Sequence, residues 1–252
     1  MEEKISHIKE RYQAATVKEL PEFIASYEND VRPGVVSLVK KAQKRLEDWE
    51  KEILRTECMY QYEDKYCEYQ AICGIDEVGR GPLAGPVVAG AVILPKDHRI
   101  YELNDSKQLS AKKRDELYER IMSEAVATGI GIVGPERIDE INILQATYEA
   151  MTLAINQLSI KPDILLNDAV TIPKVQIHQV PIIKGDAKSA SIAAASIIAK
   201  VTRDRMMEQY EEIFPQYGFA SNKGYGAAVH IDAIKQYGPT PIHRKSFIKN
   251  FL

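Results

Sequence analysis

Apolar residues recur three and four positions apart at Val35, Leu38, Val39 and Ala42, and the spacing continues through Leu46, Trp49 and Ile53. That period turns one face of a helix inward. Leu20-Pro21 and Arg32-Pro33-Gly34 punctuate the segment, so residues 1–70 are predicted to hold two or three helices. From Ala71 the texture changes. Residues 71–75 form a short apolar run that leads into a glycine-rich turn, Gly79 to Gly85, and residues 87–94 form a second run broken only by Gly90. These two runs are predicted to pair as a hairpin. A helix is expected over 110–125, where Leu117, Ile121 and Ala125 lie four apart, then a strand over 129–133 and a helix over 141–158. Residues 164–166 read as a buried strand between Pro162 and Asn167-Asp168, and 177–183 as another. A long helix, alanine-rich at its start, is expected over 189–214, and a last one over about 227–237. Strands alternating with helices predict an α/β fold, a mixed sheet flanked by helices over 71–252, preceded by the helical region 1–70. No internal repeat is visible.

Composition changes this picture little. With 252 residues, 45% of them hydrophobic, the chain can bury a sizeable core in one or two domains. No apolar run approaches the roughly 18 residues of a membrane span. The start Met1-Glu2-Glu3-Lys4 is charged and lacks the apolar core of a signal segment. Cys58, Cys67 and Cys73 are an odd number without metal-type pairing, which suits reduced thiols in a cytoplasmic protein.

A net charge of −3 does not announce a nucleic-acid binder, but the charge is unevenly placed. Residues 184–252 carry 10 Lys and Arg against 6 Asp and Glu, with His230 and His243 besides. Residues 31–45 hold Arg32, Lys40, Lys41, Lys44 and Arg45 and no acid. Local basic surfaces of this kind suit phosphate contact and equally suit a solvated helix face. Residues 1–70 are therefore a candidate accessory nucleic-acid-binding domain.

The acids carry more information. Asp76 and Glu77 follow the apolar run at 72–75, Asp168 follows 164–166, and Asp186 follows Ile182-Ile183-Lys184-Gly185. Three times an acid stands at the end of a buried strand. If those strands are neighbours, the carboxylates converge; they then repel one another and are costly to desolvate, so bound cations are the natural compensation. Oxygen-only donors favour Mg²⁺ or Mn²⁺, and two such ions about 4 Å apart can drive phosphodiester cleavage. Each acid also has a plainer reading. Asp186 precedes a helix and suits an N-cap; Asn167-Asp168 suits a turn, and Asp76-Glu77 the opening of the glycine-rich turn. Adjacent strand residues also point to opposite faces, so Asp76 and Glu77 share a site only at a strand end, at a bulge or through a backbone carbonyl. The turn Gly79-Arg80-Gly81-Pro82-Leu83-Ala84-Gly85-Pro86 lets backbone come close to a ligand, with peptide groups for a hydroxyl and Arg80 for phosphate. A tight hairpin with Arg80 in water would look the same.

Taken in order, four blocks resemble a known family. Gly74-Ile75-Asp76-Glu77-Val78-Gly79-Arg80-Gly81, continuing through Pro82-Leu83-Ala84-Gly85-Pro86-Val87, is similar to the opening motif of type 2 ribonucleases H. Asn104-Asp105-Ser106-Lys107-Gln108-Leu109-Ser110 resembles the next block, 191–204 (SIAAASIIAKVTRD) the long helix, and Lys223-Gly224-Tyr225-Gly226 with His230 the C-terminal block. The resemblance spans about 71–244 and covers none of residues 1–70. Gly-Arg-Gly is similar to ribonuclease HII, whereas ribonuclease HIII typically has Lys at the Arg80 position. One departure is Ala169, where many members have Gly after the third acid.

The resemblance implies a ribonuclease H-like fold and a four-acid site at Asp76, Glu77, Asp168 and Asp186. It implies that Gly79, Arg80 and Gly81 contact the ribonucleotide and that Tyr225 marks the RNA-to-DNA junction. Lys107, Lys184, Lys188 and Lys223 are candidate phosphate contacts, and Asn142 and Gln145 candidates for facing the uncleaved strand. The expected enzyme is a monomeric endonuclease without membrane association. It would act on RNA–DNA hybrids and on DNA duplexes containing ribonucleotides, cutting 5′ of a ribonucleotide with two Mn²⁺ or Mg²⁺ ions. Preference for long hybrids, or a non-catalytic nucleic-acid-binding role on the same scaffold, are the alternatives. Arg80 argues against the first and the presence of all four acids against the second.

Overall fold

The computed structural model describes residues 3–251 and divides into two compact units, the first ending at Glu57 and the second beginning at Cys58. The first unit is helical: α1 (Ile5–Ala14), α2 (Leu20–Tyr27) and most of α3 (Pro33–Met59). Thr16 and Glu19 form a capping box just ahead of α2, satisfying amides that a helix start leaves unpaired. Ile8, Leu20, Phe23, Tyr27, Val35, Leu38, Val39 and Ala42 make its core, each large side chain contributing about 1.5–3 kcal/mol by burial. Two arginines of the basic stretch are committed here. Arg32 forks onto Asp30 and the Glu3 carbonyl, and Arg45 donates to the Ala15 carbonyl. Lys40, Lys41 and Lys44 are exposed.

Tyr60, just after the division at residue 57, belongs to the second core. It is buried with Val92 and Ile197, and its hydroxyl accepts a hydrogen bond from the Ile100 amide. The second unit runs through α4 (Gln61–Lys65), β1 (Ile72–Val78), β2 (Val87–Ile93), α5 (Ala111–Glu124), β3 (Ala127–Val133), α6 (Pro135–Gln157), β4 (Ile164–Asp168), β5 (His178–Ile182), α7 (Ala190–Ile213), α8 (Phe219–Asn222), α9 (Ala228–Tyr237) and α10 (Lys245–Ile248). The five strands form one mixed sheet in the order β3-β2-β1-β4-β5, with β1, β2 and β3 antiparallel and β1, β4 and β5 parallel.

Helices cover both faces. Cys73 and Ile75 of β1 and Ala89 and Ala91 of β2 pack with Ala146, Ala150 and Ala154 of α6. On the opposite face Val92 packs with Ala193, Ala194 and Ile197 of α7 and Leu117 and Ile121 of α5. This two-sided burial is why β2 reads as an unbroken apolar run. The small residues at the start of α7 bring it very close to the sheet, and a Cβ at Gly74 or Gly90 would collide with α7 backbone. No helix among the described residues is long and apolar enough to cross a membrane.

Two helical boundaries depart from expectation. Helix α6 begins at Pro135 rather than near 141, and it is interrupted at Asn142, whose φ is 67°. The Asn142 side-chain oxygen accepts from the amides of Leu144 and Gln145, so it caps the second half of the helix.

Candidate active site

The sheet brings the acids together. On one side β1 pairs with β4 only as far as Ile75 opposite Asn167, while on the other it continues beside β2, with Asp76 opposite Gly90 and Glu77 opposite Ala89. Asp76 and Glu77 therefore lie past the last rung on the β4 side, where Asp168 ends its strand. Both remain inside β1, so their side chains leave opposite faces of the strand, and it is Asp168 on the open β4 side that bears on each of them. The Asp168 carboxylate accepts the Gly185 amide at 2.7 Å, which ties β4 to the short turn Gly185–Ala187 carrying Asp186. Asp186 does not cap α7; the cap is Ser189, whose hydroxyl accepts the Ile192 amide.

The acids bear on one another electrostatically. Burial holds the Asp76 carboxyl well above the usual carboxylate range, and Glu77 and Asp168 push it further against the opposing hydrogen bond from Ser196. Burial also raises Glu77, with Asp168 adding to the shift and Arg80 opposing it. Asp186 is raised by burial, then by Asp105 and Asp168. Burial would lower the Lys107 ammonium, yet the charges of Asp105, Asp186, Asp76 and Asp168 raise it, and its Nζ lies 3.9 Å from Asp186. A group of carboxyls that resist ionisation beside one another needs positive charge. The donors are all oxygens, and Glu77 Oε2 is buried without a hydrogen-bond partner. That set fits a hard divalent cation. Among the described residues no three acidic side chains are drawn into a single ligand cluster; Asp168 links them pairwise.

Beside the acids lies the glycine-rich turn. Gly79 and Gly85 take positive φ (90° and 85°), which a side chain would strain. Arg80 reaches back to Glu77 at 3.2 Å and is half exposed. Tyr225, also half exposed, comes from the far end of the chain, and its ring edge lies 3.7 Å from where a Cβ on Gly81 would stand. Lys184 and Lys188 are exposed on either side of Asp186. Lys223 is engaged instead, its ammonium 2.6 Å from Glu208. Asn142 serves as the helix cap described above, its side-chain oxygen taken up by the Leu144 and Gln145 amides. Gln145 is exposed on the same helix.

Several supporting residues escaped the sequence reading. Ser106 bonds Ser196, which in turn holds Asp76. Asp105 is a fifth acid near Asp186. Glu63, buried, accepts from the hydroxyls of Ser189 and Ser191 and from the Ser191 amide at the start of α7. Arg203 and Arg244 are fully buried and donate to backbone carbonyls of the glycine-rich turn. Their signal was present in the matched blocks, but a lone arginine in a helix or near a terminus reads as surface. The Ala169 departure also has a structural meaning. Its φ is 54°, a left-handed position where glycine is unstrained.

A helix-covered mixed sheet with acids at the ends of its central strands defines a ribonuclease H-like hydrolase. Ribonuclease H2 of Pyrococcus horikoshii OT3 superposes on 72% of this chain and 97% of its own, with a TM-score of 0.61 and 30% identity. The family model for Ribonuclease HII matches residues 73–250, and that for the Ribonuclease HII N-terminal domain matches 4–67. The chain belongs to the ribonuclease HII family. It is 64% identical over 224 residues to ribonuclease HII of Lachnoclostridium phytofermentans, covering 89% of this chain and 88% of that protein. Identity to the Clostridioides difficile ribonuclease HII is 54% over 250 residues, 98% of each chain. The protein is therefore a ribonuclease H, an endonuclease that cuts RNA in RNA–DNA hybrids.

Proposed function

We propose that this enzyme cuts on the 5′ side of a ribonucleotide embedded in duplex DNA, leaving 3′-hydroxyl and 5′-phosphate ends, and that it works in the cytoplasm. The observation that carries this reading is the Tyr225 ring edge lying 3.7 Å from where a Cβ on Gly81 would stand, on the turn whose Arg80 reaches Glu77. A 2′-hydroxyl is what distinguishes RNA from DNA at the cut. The peptide groups of Gly79–Gly81 suit a ribose hydroxyl. Tyr225 suits the next sugar, where a second 2′-hydroxyl would crowd the ring and a deoxyribose would not. Arg80, Lys107, Lys184 and Lys188 are the cations that would hold phosphates.

Asp76, Glu77, Asp168 and Asp186 would hold two Mn²⁺ or Mg²⁺ ions, Asp76 shared with Asp186 on one side and with Asp168 on the other. When bound, such ions supply an activated water and neutralise the departing 3′ oxygen. Glu77, with one oxygen buried and unpaired, completes or orients that set. The test compares a duplex with one RNA–DNA junction to a continuous hybrid. Tyr225→Ala should slow the junction substrate more than the hybrid. Equal losses would make Tyr225 a general structural residue and end the junction-reading proposal.

A further inference from the structure

The ribose-reading turn and the Tyr225 turn come from distant parts of the chain, so something must fix the gap between them. We propose that Arg203 sets that separation and is a positioning residue for junction recognition; this rests on the reading of Gly79–Gly81 and Tyr225 given above. Arg203 projects from α7 and is fully buried. Its Nε donates to the Pro86 carbonyl at 2.9 Å and one terminal nitrogen to the Ala84 carbonyl at 3.0 Å. The other terminal nitrogen donates to the Lys223 carbonyl at 2.8 Å. Two of these acceptors belong to the glycine-rich turn and the third lies two residues before Tyr225. None is a carboxylate. A buried cation that spends its donors on carbonyls is costly to desolvate. What it gains is geometry, because the planar fork fixes three acceptors at once where a lysine can reach only one point.

The surroundings make the joint stiff. The amides of Leu83 and Ala84 both donate to the Gly224 carbonyl, at 2.8 and 3.3 Å. Gly224 has φ 84°, and a Cβ there would collide with the Ala84 carbonyl oxygen. On the other side His230 holds Tyr225 itself. The Thr240 amide can only donate, so it places His243 Nδ1 as acceptor at 2.9 Å. His243 then donates from Nε2 to His230 Nε2 at 2.9 Å, and His230 donates from Nδ1 to the Tyr225 carbonyl at 2.8 Å. Both rings thus have one tautomer, and the Tyr225 backbone has a fixed anchor. Arg244 differs, since the carbonyls it holds are those of Gly79, Arg80 and Gly85, all on the glycine-rich turn. Arg203 bridges the two turns; Arg244 shapes one.

The readout is the ratio of cleavage rates on a single-junction duplex and a continuous hybrid, measured with the full chain in Mn²⁺. Arg203→Lys is expected to lower both rates and to lower their ratio on the order of tenfold, since small misplacements at a reacting centre are amplified in rate. Gly224→Ala, which forces the turns apart with Arg203 intact, should lower the ratio similarly. In a Tyr225→Ala background Arg203→Lys should change the ratio no further, because the residue through which it acts is gone. Circular dichroism checks folding, and if Arg203→Lys does not fold, Arg203→Gln, which keeps a planar donor but cannot span all three carbonyls, takes its place with the same expected fall in the ratio. An unchanged ratio in Tyr225→Ala overturns the sugar-reading proposal itself. A lowered ratio there, with a wild-type ratio in a folded Arg203 variant, overturns the role of Arg203 alone.

Discussion

Gly74 gives the account its most quantitative handle. It lies two residues before Asp76 on the face covered by α7, and a Cβ there would stand 2.0 Å from the Ser191 carbonyl carbon and 2.3 Å from the Ile192 amide nitrogen. These are backbone atoms and cannot swing aside. To restore ordinary contact α7 must retreat by about 1.5 Å. The retreat would carry Ser189 and the adjoining turn, so Asp186 would move away from Asp76. Overpacking of this kind costs about 1–3 kcal/mol, and a shift of that size in a reacting geometry costs about 100-fold in rate. Gly74→Ala should therefore show reduced stability in urea unfolding. It should also show a loss of about two decades in kcat/KM on an RNA–DNA hybrid and a higher Mn²⁺ requirement. Gly134→Ala is the control, as nothing lies within 4 Å of a Cβ there. Gly74→Ala with normal stability and rate within twofold of wild type would refute the claim that α7 seating sets the carboxylate geometry.

Asp76→Asn and Asp186→Asn should lose nearly all cleavage yet stay folded and bind hybrid; near-wild-type turnover by either removes it from the metal site. Because burial and neighbouring acids raise Asp76, Glu77 and Asp186 in the folded chain, stability from this cluster is greatest below the usual carboxylate pKa of about 4. It is lost as pH rises through the raised values, so chelated protein should melt lower on this account at neutral pH and added Mn²⁺ should reverse the loss. His243 has the opposite sign. Burial and His230 depress it to about 4, so its stabilising contribution is complete above about 6.5 and is lost as pH falls toward 4, by at most about 3 kcal/mol. Acid melts of His243→Gln should be correspondingly flatter, and an unchanged slope would exclude the residue as the cause. Ala169→Gly should stabilise the chain by about 1 kcal/mol by relieving a left-handed alanine; a destabilised variant would show that the position is unstrained.

The sheet was legible because its strands are buried on both faces and announce themselves as apolar runs ended by acids or glycines. Asp76, Glu77, Asp168 and Asp186 were legible for the same reason, each closing or following such a run. The break in α6 was not, since Asn142 looks like one more polar surface residue until its φ of 67° is seen. Nor was the start of that helix, whose first turn, Pro135-Glu136-Arg137, has no apolar period. Arg203 and Arg244 were hidden by chemistry, because a buried guanidinium satisfied wholly by carbonyls leaves no partner acid to find in the sequence.

The central claim is that this site reads one ribose followed by deoxyribose. Its most direct test is to digest a DNA duplex carrying a single embedded ribonucleotide, with Mn²⁺ or Mg²⁺, and map both new ends. The account predicts one cut, 5′ of the ribonucleotide, with 3′-hydroxyl and 5′-phosphate termini, abolished by a 2′-deoxy or 2′-O-methyl replacement there. An intact single-ribonucleotide duplex under conditions where a long hybrid is degraded, or a cut on the 3′ side, would contradict it.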